Sequence, residues 1–414
     1  MKTIKLSLAL AALLGISASA DVTNVKFSGD AKLFYSTSDA DPNDLFDKSG
    51  AMGQAAADLG VSADLAGGVK LNATVTGLST LGLENNLVSG IWAGFDNSAN
   101  GSDPLDTQWW LKEAYLSKTF GKTTIVAGRQ KLDTPLAFTE TWNIAENTFD
   151  AIVLVNQDIQ DTTLVGAWVG RGNGASGLSV TQTAAGGEDP FRTYGSAIDD
   201  VLNTNRASGA YAAGVITKAV PGLTFQAWYY DVVDLAQAYW LQGDLENLAA
   251  VEGLTLGAQY ANISPDDDFN VDDSKGWAVK VGYDFQNGLK ASLAYSSVDE
   301  DGFVNISNTA TGTSGAKSKL YTEAWWNFGY VGAAGTDAYN VTLEYEAQNI
   351  GNFGLYYTDT SNDNSNVDMK EVALTASKSY GPLDMTLAYI YTDADDQNNG
   401  DGYNTLQAYF VYNF

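Results

Sequence analysis

The sequence predicts an all-β protein: a transmembrane antiparallel β-barrel of about 18 strands, with short periplasmic turns and long extracellular loops. Three observations carry that prediction. First, apolar and polar residues alternate with a period of two. Trp277, Val279, Val281, Tyr283 and Phe285 share one face of a segment whose other face is Ala278, Lys280, Gly282 and Asp284. Second, these segments run to about 10 residues, longer than the roughly 5–6 of soluble sheets and right for a tilted membrane strand. Their apolar faces carry aromatics near the ends (Tyr35, Trp277, Phe285, Tyr295, Tyr345 and Tyr391), where a headgroup zone satisfies both ring and polar tip. Third, short and long connections alternate. Strands in hydrocarbon must pair every backbone group, so they close into a barrel without a free edge.

Composition narrows the field. The 414 residues contain no Cys, which excludes disulfides, iron–sulfur clusters and thiolate zinc sites. They contain no His, which excludes a His-based triad and haem or facial-triad metal ligation. Against 22 basic residues stand 50 acidic ones, a formal charge of −28, so nucleic acid is not an expected partner. Only 7 Pro and no Ser/Pro-rich linker argue against a seam between domains.

Residues 1–20 read as a secretory signal peptide: Lys2 and Lys5, the apolar run Leu6 to Ile16, then Ala18-Ser19-Ala20 as cleavage site. Residues 21–414 form the barrel domain. Strands are expected near 22–36, 53–66, 69–78, 108–119, 122–131, 148–157, 161–171, 206–218 and 222–231. They continue near 235–245, 252–262, 273–284, 288–298, 337–347, 350–359, 367–379, 382–392 and 403–413. The segment 235–245 reads equally as an amphipathic helix, but an even strand count favours the strand. Tight turns fall at Ala66-Gly67-Gly68, Phe120-Gly121, Val220-Pro221-Gly222, Gln286-Asn287-Gly288 and Tyr380-Gly381-Pro382. Long loops fall near 79–107, 132–147, 172–205 and 299–336. The last strand places Leu406, Ala408, Phe410, Tyr412 and Phe414 on one face, and Phe410, Tyr412 and Phe414 form the candidate assembly signal for the outer-membrane assembly machinery.

The signal peptide, the opening strand Val25–Ser36, the strand Leu111–Gly121 and the segment Ile125–Leu136 together resemble a general-diffusion porin. More narrowly, the chain resembles the campylobacter-type major outer-membrane porins related to the OprD family. The resemblance implies an 18-stranded barrel, usually a homotrimer in outer-membrane lipid and lipopolysaccharide, with an inward-folded third loop, here 132–147, narrowing the pore. A calcium ion stabilises some relatives, and its ligands do not match positions here.

The third loop offers Asp133, Glu140 and Glu146, while the strand before it brings Arg129 and Lys131 onto one side of the pleat. If that face is lumenal, carboxylates confront cations across a constriction and sort passing ions. The alternative is solvated loop charge away from the narrowest point. Arg171, Arg192 and Arg206 are further wall or rim candidates. Acidic runs at Asp39-x-Asp41, Asp266-x-Asp268 and Asp393-x-Asp395 begin like calcium loops but lack the required Gly and Glu. They are solvated negative loops, or hold calcium loosely; no cofactor is assigned. Trp325-Trp326 either tucks into the barrel mouth or joins the aromatic girdle.

The expected function is a water-filled outer-membrane channel for passive diffusion of ions and small hydrophilic solutes, with modest cation preference. A substrate-specific channel and a structural or adhesive surface barrel are the alternatives. An enzyme is not expected, because no motif supplies a catalytic group.

Overall fold

The computed structural model describes residues 22–79, 81–83, 86–89, 108–141, 144–173, 191–247, 251–310 and 316–414. The expected signal peptide and parts of the second, third, fourth and seventh long loops lie outside the described residues.

The first nine strands are β1 (Thr23–Ser38), β2 (Ala51–Leu65), β3 (Val69–Ser79), β4 (Gln108–Phe120), β5 (Thr123–Gln130), β6 (Phe149–Asn156), β7 (Thr162–Gly172), β8 (Arg192–Thr193) and β9 (Ala210–Thr217). The remainder are β10 (Leu223–Val232), β11 (Ala236–Glu246), β12 (Leu254–Pro265), β13 (Ser274–Asp284), β14 (Leu289–Val298), β15 (Thr336–Ala347), β16 (Gly351–Asn362), β17 (Met369–Tyr380), β18 (Leu383–Ala394) and β19 (Tyr403–Asn413). Apart from the short β8, each strand pairs antiparallel with the next in the chain, and β1 pairs with β19 from Asp30↔Asn413 to Ser38↔Thr405. Gly29 and Phe414 exchange backbone hydrogen bonds at the foot of this seam (2.8 and 2.9 Å). The two-residue β8 pairs only with the loop end of β7, whose main length pairs with β9. The barrel therefore has 18 strands and one short addition.

The 235–245 ambiguity resolves as a strand, in continuous register with β10 and β12. Two expectations need correction. The strand expected from 206 begins at Ala210, after a short helix α1 (Ser196–Leu202) and a left-handed Gly209 (φ 102°) inside the fourth loop. Sidedness alternates strictly, but length does not: the fifth loop is only 233–235, shorter than the turn at 247–253. Asp234, in the left-handed region (φ 60°), lets three residues reverse the chain.

The outer wall is apolar where a water-soluble protein would be polar. Trp277, Val279 and Val281 are 42%, 45% and 43% exposed while intervening Ala278 is fully buried, so the apolar face of the pleat looks out into lipid. Tyr229 and Tyr239 pack at 5.2 Å, and Trp277, Tyr295 and Tyr339 form a chain of contacts at 5.3 and 4.8 Å near the loop end. Tyr283 and Phe285 pack at 4.9 Å near the turn end. These are the two aromatic belts of a membrane barrel. Inside, the third (131–148), fourth (173–209) and seventh (299–335) loops pack on the wall in one cluster. It contains Leu136 of the third loop, Tyr194 and Ile198 of the fourth, Ile306 and Leu320 of the seventh, and Trp228 and Trp240 of the wall.

Candidate pore constriction

The tip of the third loop is a self-contained turn packed on the inside of the wall. Thr134 closes that turn with its N–H (3.1 Å) and Oγ1 (2.7 Å) donating to the Ala137 carbonyl, and the Thr139 N–H donates to the Leu132 carbonyl (2.8 Å). The Leu136 carbonyl then accepts from the N–H (2.9 Å) and Oγ1 (2.7 Å) of Thr309 in the seventh loop. Tyr194 OH shares a 2.6 Å hydrogen bond with the same Thr309 hydroxyl. Burial pushes the Tyr194 phenol up to about 12, so it remains a neutral hydrogen-bonding group. Three loops are thus joined at one point over the lumen.

Glu140 belongs to this junction. Only 2% exposed, it accepts from Asn308 Nδ2 (2.8 Å), and its N–H donates to Asn147 Oδ1 (2.7 Å). Glu146 lies further along the loop and bridges two ammonium groups, those of Lys112 (2.6 Å) and Lys131. Burial alone would push the Glu146 carboxyl up, but the two lysines outweigh it and hold the group below the usual carboxylate range. Asp133, whose side chain is 90% exposed, pairs with Lys319 of the seventh loop.

The seventh loop also holds the wall at β11, β13 and β17. Its Tyr321 hydroxyl donates to Asp244 of β11 (2.6 Å), and Lys280 of β13 lies 4.2 Å from the Tyr321 ring. Glu371 of β17 accepts from the N–H groups of Trp326 (3.0 Å) and Asn327 (2.7 Å) and from Asn327 Nδ2 (2.8 Å). Trp325 stacks on Tyr356 at 5.2 Å, and both tryptophans pack in lumenal clusters, so the pair tucks inside the barrel.

The structure separates Arg129 from Lys131. Arg129 pairs in register with Ala114 and Asp150, and Asp150 with Arg171. Asp150 stands between the fully buried lumenal Phe149 and Ala151, on the face it shares with Ile152, which is 50% exposed. Arg129 Nε (2.7 Å) and Arg171 Nη2 (2.6 Å) therefore meet Asp150 on the outer face at the loop end, with the Arg129 guanidinium 3.4 Å from the Phe191 ring. Lys131 lies beyond the end of β5 and turns inward to Glu146, so the pleat does not carry both. Arg192 pairs with Asp200 (3.1 Å) and Arg206 with Asp268 (3.2 Å), both at the rim. In the first loop, Asp39 accepts from the N–H (2.6 Å) and Nδ2 (2.7 Å) of Asn404, latching that loop to β19.

Sequence reasoning missed Lys112 and Asp58 on the wall and Lys319 and Tyr321 on the seventh loop. A signal for Lys112 was present. The outward residues of β4 run Leu111, Ala114, Leu116, and a gap of three in a two-residue period marks a bulge.

The chain matches the Gram-negative porin family over residues 7–330, more than half its length. Among curated proteins none matches. Solved structures share the fold. OccK8 (OprE) of Pseudomonas aeruginosa aligns with TM-score 0.72 at 15% identity, covering 94% of this chain and 98% of that one. The outer membrane protein opdK of Pseudomonas aeruginosa aligns with TM-score 0.69 at 14% identity, covering 94% and 99%. Acinetobacter baumannii OccAB3 gives 0.69 at 14%, covering 94% and 100%. None of the three comparisons confirms the campylobacter-type likeness. With a closed lipid-facing wall, loops packed inside it and a family match over most of its length, the chain belongs to the Gram-negative porin family, and it is a non-enzymatic outer-membrane channel for small solutes.

Proposed function

We propose that this channel passes ions and small hydrophilic solutes by passive diffusion with a modest preference for cations, set chiefly at its loop-side rim. The observation that carries the reading is the crowding of carboxylates there. Asp231, Asp234, Asp267 and Asp268 neighbour Asp266, and burial together with these charges pushes its carboxyl above its ordinary value. In the loops, Asp133 is matched by Lys319 and Glu146 by Lys112 and Lys131, which leaves the preference to the rim. Glu140 serves as a structural staple, and Arg129 and Arg171 stand outside the passage. No resident cofactor enters this reading. The barrel works as a homotrimer in outer-membrane lipid and lipopolysaccharide, a reading supported by the family resemblance and checked by the mass of unboiled, detergent-solubilised protein.

Rim charges act through water and are screened beyond a Debye length of about 10 Å at 0.1 M salt and about 3 Å at 1 M. Reversal potentials under a KCl gradient should therefore show cation preference at low mean concentration that fades at high concentration. An anion preference at low salt would overturn the proposal.

A further inference from the structure

We propose that Lys112 is the positioning residue of the constriction, the wall group that pins the base of the third loop. This rests on the channel reading above and identifies what holds its narrowest element.

The observation begins with the ladder between β3 and β4. Thr74 pairs with Glu113 and Val75 with Leu111, so Lys112 is an extra residue with no partner across the strand. Such a bulge re-aims a side chain and leaves its backbone groups unpaired. Both consequences are used by the third loop. Thr148 Oγ1, at the loop's end, donates to the Lys112 carbonyl (2.7 Å). The Lys112 ammonium, in a residue only 2% exposed, enters the lumen between Asp58 of β2 (2.6 Å) and Glu146 of the loop (2.6 Å). A single residue therefore grips the loop by main chain and side chain while gripping the wall by Asp58.

The contacts extend both ways with alternating sign. Asp58 also accepts from Lys32 (3.1 Å), which lies 3.3 Å from Asp30, and Glu146 also holds Lys131. Asp30, Lys32, Asp58, Lys112, Glu146 and Lys131 form a row with no net charge, running from β1 to the loop. A buried cation shared by two carboxylates is held strongly, and its loss leaves both acids uncompensated. Lys112 is central, because only there does the row pass from wall to loop.

Two roles can be told apart. A charge contribution changes which ions pass, whereas a positioning contribution changes how steady the aperture is. Lys112→Met, of similar length but neutral, removes both. Glu146→Gln breaks the same contact from the loop side and leaves Lys112 paired to Asp58. The double variant restores charge balance while leaving the loop unpinned.

Single-channel recording in planar bilayers at high salt, where the rim is screened, reads both. Lys112→Met is expected to raise open-channel current noise about twofold or more, with higher conductance and a shift toward cations. Glu146→Gln is expected to raise noise alike, with the opposite selectivity shift. The double variant should return selectivity to the wild-type value and be less noisy than the sum of the two single variants, because the Lys112–Glu146 contact is common to both. Lys112→Arg should restore the quiet channel. If Lys112→Met fails to assemble, Glu146→Gln alone decides through its noise. A quiet Glu146→Gln channel, or noise that adds in the double variant, would overturn the proposal. A wild-type protein with no conductance would instead remove the channel reading itself.

Discussion

Glu323 and Glu146 sit on two of the loops packed inside the barrel, and their surroundings drive their proton affinities apart. Burial pushes the Glu323 carboxyl well above the usual range; Lys317 and the Ser318 N–H (2.9 Å) draw it back, while Glu140 and Glu371 push it further up. Among the described residues, its buried Oε1 has no hydrogen-bond partner. A carboxyl whose proton affinity rises on folding stabilises the fold fully below its ordinary pKa, and that contribution is lost as pH rises through the raised value. Glu146, held below the ordinary range by its lysines, contributes above the ordinary value and loses that as pH falls through the lowered one. The seat of the seventh loop should therefore loosen on the alkaline side and the latch of the third loop on the acid side. Open-channel noise recorded across pH should rise at both ends. Glu323→Gln, which stays neutral, should flatten the alkaline limb and leave the acid limb unchanged. An alkaline rise that survives this substitution would show that another group controls the seat.

At the scale of the element, most of the strands were legible because lipid on one side and polar lumen on the other write a period of two into each segment. Even β11, whose sequence suits a helix, was fixed by the need for an even count. What was not legible is where that period slips. The bulge at Lys112 brings a cation inward, and Gly170, unpaired between Val169 and Arg171, resets the phase of β7. Arg129 was readable in principle: Ile125, Ala127 and Arg129 share one face, and that face is outward. The expectation of a pore role assumed that charge belongs inside, a rule that lapses at the loop-end rim, where headgroups and water begin. Loop interiors were opaque, since Asn308 finds Glu140 across the lumen by tertiary packing that no local pattern records. Phe414 tests an element that was read correctly. It is 60% exposed on the outer face with Tyr412, so its ring contributes little core packing. Deleting it should lower the amount of barrel assembled in cells more than it lowers the heat resistance of barrel already assembled. Comparing assembled protein levels with melting in detergent checks this; equal assembly would leave Phe414 as an ordinary strand end.

For the whole molecule, a closed ring of hydrogen-bonded strands has no edge from which to unravel, and lipid shields those bonds from water. Refolded protein should give a circular dichroism spectrum dominated by β structure and keep its compact mobility on an unheated detergent gel, losing it only after boiling. A helix-rich spectrum would contradict the barrel.

The seam between β1 and β19 has a consequence in time. Every other barrel pairing joins strands adjacent in the chain, where each step closes only a short stretch, but this one joins the first strand to the last. Chain entropy alone makes so distant a meeting costly, although each doubling of loop length adds only about 0.6 kcal/mol. Sequential zipping around the ring lowers that cost by delivering β19 to β1 already curved and in register. Until they meet, the growing sheet has two unpaired rims, each a template for another chain. Closure is therefore both the slowest event to expect in folding and the one that ends the hazard of aggregation, which makes the exchange between Gly29 and Phe414 the moment at which the chain becomes safe from its own kind.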